Sequence, residues 1–122
     1  MKRPSLNILL VEDNKLVAEV VEKTLSELGC QVTPVETGKE AIAQTLTQAF
    51  DIIFLDLGLP DLKGTQIAQT VRNNANINQN SRLIVLTAEL NEQIERSCLE
   101  LGVDLVLQKP LTKEVAKMSI SC

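Results

Sequence analysis

The sequence predicts an α/β fold: a doubly wound, five-stranded parallel sheet with helices on both faces. Three observations carry this expectation. Short continuous apolar runs recur at residues 8–11, 52–55, 83–86 and 105–107, the mark of strands buried on both faces. Between them lie amphipathic stretches with apolar residues at helical spacing. The alternation is regular, and alternating strands and helices imply a parallel sheet with right-handed crossovers.

The first strand is Ile8-Leu9-Leu10-Val11. Leu16, Val17, Val20, Val21, Leu25 and Leu28 then follow helical spacing, and Gly29 stops that helix. Residues 32–35 read as a short second strand. Pro34 inside it predicts a sheet edge, because proline cannot donate to a central ladder. Residues 38–49 predict a second helix with Ala41, Ile42, Thr45, Leu46 and Ala49 on one face. The third strand, 52–55, is bounded by Asp51 and Asp56. Residues 64–72 predict a helix presenting Ile67, Ala68 and Val71, and the asparagine-rich residues 73–80 read as a polar loop. The fourth strand, 83–86, precedes a helix over 90–101 closed by Gly102. After the fifth strand, residues 112–118 leave room for about two helical turns.

Composition bounds the function. A chain of 122 residues fits one domain, with residues 1–5 as a leader and 112–122 as a short or truncated last helix. It is 44% hydrophobic and 23% charged, an ordinary globular balance. Phe50 and Phe54 are its only aromatic residues, so aliphatic side chains must fill the core. With no histidine, the chain has no imidazole base, no imidazole ligand and no phosphohistidine of its own. The net charge of −4 argues against nucleic acid and anionic membrane as partners. No apolar run approaches the roughly 18 residues of a membrane span. Cys30, Cys98 and Cys122 form no CxxC pair, which suits a reducing cytoplasm; Cys30 and Cys98 read as buried hydrophobes and Cys122 as exposed.

In such a sheet the chemistry lies just past the carboxyl ends of the strands. Glu12 and Asp13 follow the first strand, Asp56 the third, Thr87 and Ala88 the fourth, and Lys109 the fifth, before Pro110. Three carboxylates at one rim repel each other, and a hard divalent cation with oxygen ligands offsets the repulsion. One carboxylate could then act as a nucleophile toward phosphorus, with lysine neutralising the transferring oxygens. Singly, each residue has a structural reading: Glu12-Asp13-Asn14 fits a helix N-cap, Asp56 a turn and Thr87 a strand-end cap. Their joint occurrence in order at four strand ends favours the chemistry.

These segments resemble the receiver domains of two-component response regulators over about residues 6–112. Residues 8–14 (ILLVEDN), 56–64 (DLGLPDLKG), 85–88 (VLTA) and 102–110 (GVDLVLQKP) carry the likeness. It implies a flavodoxin-like sheet in the order 2-1-3-4-5, with Asp56 as phosphoacceptor. Mg²⁺, or Mn²⁺, would be held by Asp13, Asp56 and the backbone carbonyl of Gly58, with Glu12 acting through water. Lys109 would pair with the acceptor carboxylate and then the phosphoryl group. Thr87 and the Ala88 N–H would bind phosphoryl oxygens, and the Lys109–Pro110 bond would be cis. The opening segment and long first helix are most similar to receivers of hybrid sensor histidine kinases. That implies a cytoplasmic phosphorelay module whose partners are a histidine kinase phosphohistidine domain or a histidine phosphotransfer domain.

The sequence departs from the family pattern at three points. Lys63 stands where Asp or Asn usually precedes the glycine, with a local effect expected. Val106 stands at the aromatic switch position, so a weak coupling to Thr87 and a modest conformational change are expected. The last helix is short. A haloacid-dehalogenase-type phosphatase would need a second aspartate where Gly58 stands. A flavodoxin-like cofactor module would need a phosphate-cradling loop where Glu12-Asp13 stand. A pseudo-receiver acting only in protein interaction would usually lack the acidic pair, acceptor or lysine.

Overall fold

A computed structural model describes residues 5–73 and 75–121. Most of the leader (residues 1–4) and Cys122 lie outside the described residues. The elements run β1 (Asn7–Val11), α1 (Lys15–Glu27), β2 (Gln31–Val35), α2 (Gly38–Thr47), β3 (Ile52–Asp56), α3 (Gly64–Val71), β4 (Arg82–Thr87), α4 (Glu92–Glu100), β5 (Leu105–Gln108) and α5 (Lys113–Ile120). All strand pairs are parallel, in the order β2-β1-β3-β4-β5, with Pro34 on the edge strand as expected.

Alternating strand residues feed two cores. Leu9, Val11, Ile53, Leu55, Leu83, Val85 and Val106 pack with Ala41 of α2, Ile67, Ala68 and Val71 of α3 and Cys98 of α4. Ile8, Leu10, Ile52, Phe54, Ile84 and Leu86 pack with Val21 and Leu25 of α1 and Ala116 of α5. Cys30 and Cys98 are buried free thiols. Each helix but α3 begins with a side-chain cap: Asn14, Thr37, Asn91 and Thr112 each accept a backbone N–H. Gly29 and Gly102 follow α1 and α4 at φ 89° and 92°, a region costly for other residues.

The helices differ in detail from the sequence reading. α1 carries its predicted apolar residues, yet Leu16 and Val20 are 75% and 61% exposed. α2 stops at Thr47, where Gln48 turns extended, so Ala49 lies beyond the helix and is exposed; Leu46, within it, also faces solvent. α4 starts at Glu92, because Asn91 is its cap and Leu90 packs on the core ahead of it. The segment read as a polar loop is anchored inside: Asn76 and Asn78 are 6% and 1% exposed. The Asn78 amide donates to the carbonyls of Thr45 and Gln48 at 2.7 and 2.8 Å and accepts from the Phe50 N–H at 2.7 Å. At that same pole Arg72 donates to the carbonyls of Gly102, Gln79 and Ser81 and pairs with Asp104 at 2.9 Å.

Candidate functional site

Strand register brings the predicted residues to one rim. Val11 lies opposite Leu55, Asp56 opposite Leu86, and Thr87 opposite Gln108. The Lys109 N–H donates to the Thr87 carbonyl at 2.8 Å, which sets Lys109 just past β5, and its bond to Pro110 is cis. Glu12, Asp13 and Asp56 each offer a carboxylate oxygen, and these three atoms lie within 4.8 Å of one another. All three donors are hard oxygens, the set that suits Mg²⁺, with no soft ligand among them.

The lysine reaches both buried carboxylates, but unequally. Its Nζ is 2.6 Å from Glu12 Oε1 and 3.4 Å from Asp56 Oδ1. The closer partner is therefore Glu12, not the acceptor candidate alone. Glu12 is only 2% exposed, and its pKa is raised. Burial is the main cause, the nearby Asp56 charge adds to it, and the Lys109 bond and Asn14 N–H oppose it. Burial lowers the pKa of the Lys109 ammonium, but the Glu12 bond and the two carboxylate charges outweigh this and hold it above its ordinary value. One ammonium thus serves two carboxylates; it is well supplied and Glu12 is not.

Asp56 is 9% exposed at the end of β3, and its Oδ1 also accepts the Gly58 N–H at 3.1 Å. The predicted helix-cap role belongs to Asn14, which frees Glu12 and Asp13 for the rim. Thr87 is buried, and its hydroxyl bonds the Glu89 backbone at 3.3 and 3.4 Å rather than the carboxylates. Ala88 is exposed beside it, and Val106 is buried under the sheet on the α4 side. Asp61, in the loop between β3 and α3, caps the first turn of α2 from 23 residues away. No local periodicity could have signalled a contact of that separation.

A doubly wound sheet with three clustered carboxylates and a lysine at its carboxyl rim offers the oxygen donors that a hard divalent cation prefers. The chain matches the family model "Response regulator receiver domain" over residues 8–120, and it belongs to that family of two-component signalling proteins. It is 35% identical over 112 residues to the aerobic respiration control sensor protein ArcB of Escherichia coli (strain K12), covering 92% of this chain and 14% of that protein. It is 34% identical over 108 residues to the sensor protein GacS of Pseudomonas syringae pv. syringae, covering 87% of this chain and 12% of that one. The chain thus spans less than a fifth of the length of these curated relatives. Among solved structures, the receiver domain of a Pseudomonas aeruginosa PAO1 sensor histidine kinase, with a magnesium ion coordinated in its active site cleft, is 32% identical. Its TM-score is 0.84, with 95% of each chain covered.

Proposed function

We propose that this chain is the phosphoacceptor module of a phosphorelay and that Asp56 takes a phosphoryl group from a phosphohistidine. One observation carries the reading most: Asp56 shares its rim with two further carboxylates within 4.8 Å and with Lys109 at 3.4 Å. An Asp56 oxygen attacks phosphorus, the O–P bond forms as the N–P bond of the donor breaks, and the electron pair leaves on the imidazole nitrogen, which is protonated from solvent. Lys109 offsets the charge on the transferring oxygens. Asp13, Asp56, the Gly58 carbonyl and, through water, Glu12 would hold Mg²⁺ or Mn²⁺, which supplies positive charge beside those oxygens when bound. Thr87 leaves Glu89 to bond one phosphoryl oxygen, and the Ala88 N–H bonds another.

The likeness to two sensor proteins and to the receiver domain of a sensor histidine kinase supports a place in a hybrid sensor kinase, which the proposal sets on the cytoplasmic side. The partners are then a kinase phosphohistidine domain and a histidine phosphotransfer domain. Val106 offers no ring to couple to Thr87, so onward relay or slow hydrolysis, rather than a large output switch, follows phosphorylation. The test is intact mass after incubation with acetyl phosphate. A gain of one phosphoryl group in Mg²⁺, absent in EDTA and in Asp56→Asn, is expected; equal labelling of Asp56→Asn would overturn the assignment.

A further inference from the structure

The loop after β3 is held from both ends, and one hold comes from an unexpected element. The Asp61 carboxylate accepts the Gly38 N–H on Oδ1 at 2.8 Å and the Lys39 N–H on Oδ2 at 3.0 Å. Those are the first two amides of α2, and Thr37 Oγ1 takes the third, from Glu40, at 3.1 Å. The loop packs hard there: a Cβ added to Gly38 would lie 2.7 Å from Leu62 Cβ. At its far end the Gly64 N–H donates to the Leu57 carbonyl at 3.4 Å. A Cβ added to Gly64 would lie 2.8 Å from the Asp56 carbonyl oxygen. Between Leu57 and Asp61, the Gly58 N–H holds the Asp56 oxygen that also faces Lys109.

We propose that Asp61 is a positioning residue for the acceptor site: by mooring the loop after β3 to the N-terminus of α2, it fixes the Gly58 N–H that orients the Asp56 carboxylate. The role rests on the reading of Asp56 as phosphoacceptor. A carboxylate suits the task because it accepts two adjacent amides at once and meets the positive end of the helix dipole. Thr37 is the natural control. It caps the same helix turn, with its hydrogen bonds going to Glu40 and Ala41 of that helix.

The experiment uses the full chain with Asp61→Ala, Asp61→Asn and Thr37→Ala. It reads the Gly58 amide resonance and its hydrogen exchange in EDTA, the Mg²⁺ dissociation constant by NMR titration, and the acetyl phosphate labelling rate at saturating donor. Asp61→Ala is expected to shift the Gly58 amide and speed its exchange without metal. It is also expected to weaken Mg²⁺ binding about tenfold, the low end for losing a ligand-orienting partner, and to slow saturated labelling. Asp61→Asn, keeping one acceptor oxygen, falls between; it also serves if Asp61→Ala does not fold. Thr37→Ala lowers the melting temperature and leaves the Gly58 amide and Mg²⁺ constant at wild-type values. Wild-type Gly58 and Mg²⁺ behaviour in both Asp61 variants overturns the proposal, as does equal weakening by Thr37→Ala. A wild-type chain that takes no label sinks the phosphoacceptor reading alone, because the Gly58 and Mg²⁺ readouts still decide the tether.

Discussion

Replacing Asp13 with Asn is expected to raise the melting temperature of the metal-free protein and to weaken its hold on Mg²⁺. The magnitude follows from the rim. Asp13 faces Glu12 and Asp56 with carboxylate oxygens within 4.8 Å. At that separation two unit charges repel by about 0.9 kcal/mol in water and about 3.5 kcal/mol at an effective dielectric of 20. Asp13 is exposed, so screening draws each pair toward the lower figure. Lys109, 2.6 Å from Glu12 and 3.4 Å from Asp56, cancels a further part of the field. About 1–2 kcal/mol of net repulsion remains, worth a rise of roughly 3–10 °C for a chain of this size. The assay is thermal melting by circular dichroism, since the chain has neither Trp nor Tyr for intrinsic fluorescence. Saturating Mg²⁺ at 100 times the dissociation constant stabilises the wild type by about 2.7 kcal/mol, and the variant gains less, so the order closes or reverses. An Asp13→Asn protein that melts at or below wild type in EDTA refutes the idea that these carboxylates strain each other.

Glu12 has a folded pKa above its ordinary 4.5 because it is buried, so between those values the folded state keeps a proton that the unfolded state has lost. Stability therefore falls as pH rises through that window. Glu12→Gln is expected to gain stability over wild type at neutral pH without metal, with the gain vanishing below about pH 4; urea unfolding across pH checks it, and a gain that grows on acidification contradicts it. Asn78→Ala strips partners from the Thr45 and Gln48 carbonyls and the Phe50 N–H, and is expected to cost about 3 kcal/mol in urea titration with the Mg²⁺ constant unchanged. Beryllofluoride with Mg²⁺ is expected to shift NMR resonances mainly in the loops after β3 and β4, because buried Val106 gives Thr87 no ring to move. Large shifts throughout α4, β5 and α5 would point to an output switch.

The strands β1, β3 and β4 were legible because they are buried on both faces, and an apolar run of four residues bounded by polar ones is too short to be a buried helix. Strand ends follow from strands, so Glu12, Asp13, Asp56, Thr87 and Lys109 could be placed at one rim from the sequence. Helical spacing was less decisive. It marked α1, but it could not tell Val21 and Leu25, which are buried, from Leu16 and Val20, which face solvent. Which of the distant side chains pair most closely was not legible. Lys109 lies 97 residues from Glu12, and only the folded chain shows that this pair is shorter than the one with Asp56. Asn76 and Asn78 looked like loop polarity because nothing local distinguishes a solvated amide from one satisfying buried carbonyls. Asp61 escaped for the same reason.

Borohydride reduction tests most directly whether Asp56, the proposed acceptor, carries the phosphoryl group. An acyl phosphate is reduced by borohydride to the alcohol, which turns a phosphorylated aspartate into homoserine and leaves free carboxylates untouched. Tandem mass spectrometry of peptides from chain treated with acetyl phosphate and Mg²⁺, then reduced, locates the change to a single residue. Homoserine at position 56, and at no other carboxylate, is the predicted result. Homoserine at position 13 or 61, or 2-amino-5-hydroxypentanoate at position 12, with no homoserine at 56, would contradict the assignment, as would no conversion in a chain that has gained phosphoryl mass.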